Sequence, residues 1–256
     1  MERALEDKVV VVTGGAKGLG RGSSMAAAQR GAKVVIGGRD KKAGEEIVEE
    51  IRETTSADVK FVEGDLTQVA TCKALIDTTV SQFGRIDGLI NYAGILPSGT
   101  ITETEESMFD DVFGINIKAP FFCTKYAVAS MLNTGGGSIV NVGSLHGYGG
   151  QRDRAAYACS KGALLALTKH IAKNYAKERI RANWITMGWV ATPGELALRH
   201  QQGLDMEWLE EQGREVMPMG RLQTVEDNIG AIMLLLSDES SQLTGAELHI
   251  SGGFFI

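Results

Sequence analysis

Val9-Val10-Val11-Val12-Thr13-Gly14-Gly15-Ala16-Lys17-Gly18-Leu19-Gly20 decides the fold. Four consecutive valines are too short a run for a helix and too apolar for a strand with one wet face. They suit a central parallel strand buried on both faces. The glycine cluster that follows opens into an alanine-rich stretch with helical character. Gly14 and Gly18 let the chain turn sharply and approach a pyrophosphate, and the helix start at Gly18, Leu19 and Gly20 offers free N–H groups and a favourable dipole. A glycine cluster alone is an ordinary turn. Between a strand and a helix it reads as a dinucleotide loop.

Working outward, short β-branched runs recur at Lys33 to Ile36, Val59 to Val62, Ile86 to Ile90, Ser138 to Val142, Arg181 to Thr186 and Glu247 to Ile250. Helical periodicity fills the intervals at Ala43 to Glu53, Val69 to Phe83, Glu105 to Leu132, Ala155 to Lys177 and Val225 to Leu236. This alternation predicts an α/β fold, a Rossmann-type doubly wound parallel sheet of about seven strands with helices on both faces. Right-handed crossovers put the strand C-termini along one edge, where ligands bind. The whole chain, 1–256, is expected to form one dinucleotide-binding domain, with 191–220 a candidate substrate lid within it.

The charge balance, 26 basic against 32 acidic residues for a net −6, leaves no basic surplus for nucleic acid or an anionic membrane. No apolar run approaches the roughly 18 to 20 residues that span a bilayer, and MERALEDK lacks the apolar stretch of a signal peptide. A cytoplasmic protein is expected. Cys72, Cys123 and Cys159 share no CxxC spacing and read as reduced small hydrophobes; His146, His170, His200 and His249 are scattered without ligand spacing. No metal site is expected.

At the end of the second strand, Gly37-Gly38-Arg39 has no carboxylate where an NAD enzyme usually has one. Arg39 offers a guanidinium for a 2′-phosphate, and Lys17 a second positive charge, unless both are solvated surface cations. The pattern favours NADP(H), with NAD(H) as the alternative. Asp65, in Gly64-Asp65-Leu66, is placed either to accept from an adenine amino group or to cap the next helix, a role for which Thr67 competes. In Asn91-Tyr92-Ala93-Gly94, the small Ala93 and Gly94 let backbone approach the ribose or mark a simple strand exit.

Tyr157 and Lys161 are four apart in a helical segment and share a face. A nearby ammonium would bring the phenol down from its usual pKa of about 10 toward the range of a useful base. Ser144, after the fifth strand, belongs to the same sheet edge and is either a polarising hydroxyl or a turn serine. Asn116 interrupts the Glu105 to Leu132 stretch with an amide that competes with helix backbone; it holds a water in a proton path or ends a turn.

These residues resemble the short-chain dehydrogenase/reductase family, in its shorter single-domain branch. The resemblance spans the chain through TGGAKGLG at 13–20, GDL at 64–66, NYAG at 91–94, Asn116, Ser144 and Tyr157-Ala158-Cys159-Ser160-Lys161. It implies that Tyr157 is the general acid/base, that Ser144 orients and polarises the carbonyl, and that Asn116 maintains a proton relay. It further implies that Lys161 lowers the Tyr157 pKa and binds the nicotinamide ribose, and that Leu66, Asn91, Val190 and Thr192 join the cofactor contacts. The activity implied is hydride transfer between NADP(H) and a small carbonyl or alcohol compound, in a homotetramer. A catalytically silent NADP-binding regulator and a nucleotide-sugar epimerase or dehydratase are the competing readings.

Three positions depart from the family pattern. Tyr92 stands for an asparagine, which is expected to weaken a support of the central sheet. Met187 stands for a proline, loosening the loop that carries Val190 and Thr192, and Ser251 stands for an aspartate. His146, Tyr148, Arg152 and Arg154 flank Ser144 and Tyr157 and line the pocket mouth or lie in solvated loops; two pocket arginines would favour an anionic or hydroxylated substrate. The weak preference is a polar keto or polyol compound. Trp189, Met206, Trp208 and Leu209 are expected in an apolar lid or in ordinary amphipathic packing, and the tail Gly253 to Ile256 is expected to bury against another subunit.

Overall fold

The valine run forms the central strand β1 (Val9–Thr13), and every residue in it is buried. The computed structural model describes residues 4–254; Met1 to Arg3 of the charged N-terminus and Phe255 and Ile256 of the apolar tail lie outside the described residues. Around β1 stand β2 (Lys33–Gly38), β3 (Val59–Glu63), β4 (Gly88–Asn91), β5 (Gly137–Val142), β6 (Ile180–Met187) and β7 (Glu247–Ile250). Their order is β3-β2-β1-β4-β5-β6-β7, and all pairings are parallel.

Alternate side chains pass to opposite faces. Val10, Val12, Val34 and Ile36 pack with α1 (Gly18–Gln29), α2 (Lys41–Thr54) and, later in the chain, Val225–Leu236. Val11, Val35, Leu89 and Ile139 pack with α3 (Val69–Phe83) and with Ala119–Thr134 on the other face. Of the cysteines, Cys72 and Cys123 are buried as expected of small hydrophobes, whereas Cys159 is exposed.

Two expected helices differ. The stretch 105–132 divides into α4 (Glu106–Phe113), one π-helical turn at Gly114–Lys118 and α5 (Ala119–Thr134). The chain widens where Gly114 and Asn116 weaken the regular ladder. The next helix, α6, is Ala155–Asn174, stopping before Lys177 in a short 3₁₀ turn at Ala176–Glu178. The candidate lid contains two helices, α7 (Pro193–Gln201), capped by Thr192, and α8 (Met206–Val216), capped by Asp205. The last helix is α9 (Val225–Leu236).

The candidate lid is not simply apolar. The Trp189 and Trp208 rings meet edge-on at 6.3 Å, and the Arg199 guanidinium lies 5.4 and 5.7 Å from them. Glu195 accepts from Trp189 Nε1 and Arg199 Nε, each at 2.8 Å. Leu209 is fully buried, and Met206 is exposed.

Amides tie the middle of the sheet to the helices on one face. Asn91 Nδ2 donates to Asn141 Oδ1 at 2.8 Å and to Thr124 Oγ1 at 3.2 Å, while Asn141 Nδ2 donates to Thr168 Oγ1 at 2.8 Å. This is the sheet support expected at position 92. Here Asn91 carries it through Nδ2, while Asn91 Oδ1 is buried without a partner among the described residues. Replacing Asn141 by the similarly sized leucine strands Asn91 and Thr168 in a dry core. Asn141→Leu is expected to lower the unfolding free energy by about 1–3 kcal/mol, read from urea denaturation midpoints at constant slope.

Candidate active site

The strand order reverses between β1 and β4, and their C-terminal ends open the cleft. Thr13 closes its floor: its hydroxyl donates to the Ile90 carbonyl at 3.3 Å and accepts the Tyr92 and Ala93 amides at 3.1 and 3.3 Å. Gly14 and Gly18 have φ of +67° and +52°, conformations that favour glycine. A Cβ on Gly20 would stand 2.3 Å from the Gly14 carbonyl oxygen. Ser24, which the motif reading missed, donates to the carbonyls of Gly15 and Gly20, each at 3.0 Å, and binds the loop to α1. A serine nearly two turns into the helix, on the face towards the glycine loop, was the available signal.

Lys17 makes no side-chain cap at the start of α1, which leaves the amides of the first turn open towards the cleft, with the Leu19 amide against the Tyr92 hydroxyl. A Cβ on Gly18 would meet nothing closer than the Tyr92 hydroxyl at 3.7 Å and Thr192 at 3.8 Å. Open backbone at a bare helix start fits the pyrophosphate of a dinucleotide. Leu19 is buried, leaving its amide as its contribution to such a site.

At the adenosine end the expected residues separate. Arg39 is exposed and, among the described residues, has no ion pair. Lys17 does not stand as a second free cation: it pairs with Asp40, which also accepts from the Ala43 amide at 3.1 Å as the cap of α2. Asp65 is exposed, but both its oxygens are taken by Thr67, from the amide at 3.0 Å and the hydroxyl at 2.8 Å. It does not cap α3, whose cap residue is Gln68. The side chains of Leu66 and Asn91 are buried in the core, which leaves their backbone as the part that could meet a ligand. Ala93 and Gly94 line the β4 exit, where a Cβ on Gly94 would stand 3.0 Å from Asn116 Oδ1.

Ser144 lies above β5 on a loop packed against the Trp184 indole, where a Cβ on Gly143 would fall 1.9 Å from Trp184 Cζ2. Tyr157 and Lys161 project from α6. Lys161 is buried; its Nζ donates to the Val142 carbonyl at 2.8 Å and lies 5.7 Å from the Tyr157 ring centroid. Asn116, on the π-helical turn, accepts from the Ile95 amide at 2.9 Å and donates to the Ile95 carbonyl and to Ser160 Oγ at 3.0 and 3.1 Å. Its side chain thus clamps the β4 exit to α6.

The loop beyond Met187 is held without the proline. Gln223, another residue the sequence did not single out, is buried. Its Oε1 accepts the Gly188 amide at 3.0 Å, its Nε2 donates to the Ile250 carbonyl at 2.7 Å, and its backbone bonds Trp189 and Ala191. Val190 and Thr192 are fixed accordingly, Thr192 across the cleft from Gly18.

Of the flanking residues, His146 meets the Tyr157 ring edge-on at 5.6 Å, and Arg154 is largely buried near them. Arg152 is exposed, and Tyr148 turns to β7, bonding Glu247. A separate cavity of about 460 Å3 opens at the opposite edge of the sheet. Its Arg85–Asp87 and Lys8–Asp238 pairs are internally matched, and Arg181 donates to the Leu235 and Ser237 carbonyls at the end of α9 and to the Leu243 carbonyl in the loop before β7. Among the described residues, no acidic, histidine or cysteine cluster could hold a metal, and no helix is long and apolar enough to cross a membrane.

A family model described as enoyl-(acyl carrier protein) reductase matches residues 14–255. An uncharacterized oxidoreductase of Thermotoga maritima is 38% identical, over 97% of both chains. The chain belongs to the short-chain dehydrogenase/reductase family. Cyclopentanol dehydrogenase of a Comamonas species is 34% identical over 98% of both chains. L-sorbose reductase of Gluconobacter frateurii, solved with NADPH and L-sorbose, shares the fold with a TM-score of 0.95 at 24% identity, covering 100% of this chain and 99% of that one.

Electrostatics at this short-chain dehydrogenase/reductase site corrects one expectation. Burial pushes the Tyr157 phenol up to about 12; the Ser144 hydroxyl and the Arg154 guanidinium oppose that rise, and Lys161 is not among the causes. Burial also brings the Lys161 ammonium down to about 8. Lys161 sits by the tyrosine ring and spends a proton on a carbonyl, so desolvation outweighs its attraction for a phenolate. Tyr157 therefore carries its proton at neutral pH, the form a proton donor needs. In cofactor-free protein at pH 10, where an ordinary tyrosine is half-ionised, Tyr157 is expected to contribute little phenolate. The difference in 295 nm absorbance between wild type and Tyr157→Phe measures it; a midpoint below 10 would restore Lys161 as the dominant influence.

Proposed function

We propose that the protein is an NADP(H)-dependent oxidoreductase that interconverts a carbonyl and an alcohol, with Tyr157 as general acid/base. The reading rests above all on Ser144, Tyr157 and Lys161 arriving from separate segments at the sheet edge that also carries the bare start of α1. The nicotinamide, when bound, supplies or accepts the hydride.

The residues divide the remaining work. Gly14, Gly18, Gly20 and the Leu19 amide receive the pyrophosphate, with Ala93 and Gly94 beside the adenosine ribose. Val190 and Thr192 hold the carboxamide side, and Lys161, anchored on Val142, the second ribose. Arg39 meets the 2′-phosphate. Asp40 would repel that group were it free, but its carboxylate is committed to Lys17 and Ala43, and Lys17 holds its pKa below the usual range. Asp65 is partnered by Thr67 and acts at most at the rim of the adenine site.

In reduction, Tyr157 gives its proton to the carbonyl oxygen as the carbon accepts hydride, while Ser144 donates a hydrogen bond to that oxygen and offsets its developing charge. Asn116 keeps the β4 exit and α6 in register through Ile95 and Ser160, which preserves the path by which the tyrosine is reprotonated. In oxidation the same groups act in reverse.

The substrate is a small polar keto or polyol compound, taken up under the 191–220 lid by a single cytoplasmic domain. Exposed Phe109, Phe121 and Leu132 on α4 and α5 support burial of these helices in a homotetramer.

Tyr157→Phe is expected to lower kcat by roughly 10²- to 10⁴-fold with cofactor affinity kept, measured by NADPH absorbance over a panel of ketones and alcohols. NADPH is expected to bind more tightly than NADH, and Arg39→Ala to erase about tenfold or more of that preference. Cofactor binding without any turnover would favour a silent regulator, and retained cofactor without net redox change an epimerase. Tighter NADH binding would overturn the role of Arg39.

A further inference from the structure

We propose that Arg154 recognises a carboxylate borne close to the reacting carbon of the substrate, making the preferred substrate an oxo acid or its hydroxy acid. The inference rests on the oxidoreductase reading above and adds to it the substrate class and the residue that selects it.

Arg154 is the residue from which α6 starts, three before Tyr157, so its side chain and the phenol leave neighbouring positions on one helix end. Its environment is built. The segment after β4 is stitched to it by Gly99 N to Asp153 O at 2.9 Å and Ala155 N to Gly99 O at 3.2 Å. Ser98 Oγ donates to Asp153 Oδ2 at 2.8 Å. Arg154 Nη1 then donates to the Asp153 carbonyl at 2.9 Å and to Asp153 Oδ2 at 2.7 Å.

Those two bonds occupy Nη1 alone. Among the described residues, no group accepts from Nε or Nη2, although only 14% of the side chain is exposed. The Nε–Nη2 edge is the face that meets both oxygens of a carboxylate in parallel. Neither atom is sealed in the core without a partner, so what remains exposed of the side chain leaves that edge within reach of a ligand.

The surroundings say where the edge acts. His146 and Tyr157 form the adjoining wall, with rings 5.6 Å apart. The guanidinium's charge is felt at both: it opposes the rise of the Tyr157 phenol, and it adds to burial, the larger cause, in holding the His146 imidazole below its usual range. Asp153 offsets that charge only in part: its effect at His146 is the smaller of the two, its carboxylate is shared with Ser98, and 46% of its side chain faces solvent. Arg152 is exposed on the loop, so Arg154 is the cation at this wall. With a net charge of −6, the protein as a whole repels anions, and a carboxylate substrate requires such a local cation.

The test compares small 2- and 3-oxo acids with their methyl esters and amides as substrates of the cofactor-loaded enzyme, in wild type, Arg154→Gln and Arg154→Lys. Wild type is expected to prefer the acids. Arg154→Gln should lose roughly 10- to 100-fold in kcat/KM on the acids, mainly through KM, while the esters change by less than about threefold; Arg154→Lys should fall between. Should Arg154→Gln fail to fold, competitive inhibition of wild type by malonate but not by malonamide is the expected result. Equal turnover of acids and esters by wild type, or equal loss on both in Arg154→Gln, overturns the assignment and leaves the oxidoreductase reading standing. Failure of every ketone and alcohol with either cofactor overturns both.

Discussion

A parallel sheet covered on both faces commits its backbone N–H and C=O groups to neighbouring strands, which leaves only the strand ends for polar chemistry. The valines of β1 impose this condition at the centre of the molecule. Because β2 and β4 lie on opposite sides of β1, the chain leaves the β1 and β4 ends in diverging directions, and a cleft opens between them. Thr13, Gly14 and Ala93 then sit within contact of each other, and the bare start of α1 faces the gap. The apolar requirement of the core and the location of the ligand site are thus one constraint seen from two sides.

Strand positions were legible because the β-branched runs are short, dense and bounded by helical periods. Val69 to Phe83 and Val225 to Leu236 were legible to the residue, ended by Gly84 in a left-handed conformation and begun by the Thr224–Asp227 capping box. The π-helical turn was legible only as an irregularity at Asn116; what the amide bonds instead, Ile95, lies 21 residues away and carries no local mark. The same holds for Gln223: nothing local marks a glutamine as the clamp of a loop that ends 32 residues earlier at Ala191. In the site, residue types were readable where the backbone geometry is special, as at Gly14 and Gly18. They stayed open where a polar side chain has a competing partner that the sequence does not decide, as with Lys17 and Asp40 or Asp65 and Thr67.

Tyr92 illustrates how a departure from a family pattern is absorbed. It lies against the glycine loop, with its Cδ1 where a Cβ on Gly20 would be crowded, and its hydroxyl near Gly18. The loop has room for it because Gly18 and Gly20 carry no side chains. Met187 is absorbed differently, by hydrogen bonds from Gln223 that replace the stiffness of a proline ring. Both compensations act on backbone at the cleft, so the site keeps its shape while its chemistry-bearing residues stay unchanged.

The electrostatics follow from the same burial. Lys161 and Tyr157 are placed by a helix that needs an apolar face against the sheet, and the cost is that each is driven toward its neutral form. A neutral phenol donates a proton readily to an oxygen that is gaining negative charge, and less readily accepts one from an alcohol. What shifts the balance is charge entering the cleft, because the Tyr157 hydroxyl lies among groups that respond to it: the Ser144 hydroxyl, the His146 ring and the Arg154 guanidinium. A substrate carboxylate on Arg154 would cancel one of the influences that favour phenolate, and so would keep Tyr157 in its acid form. Recognition of that anion and readiness to reduce the carbonyl beside it are then coupled through a single guanidinium.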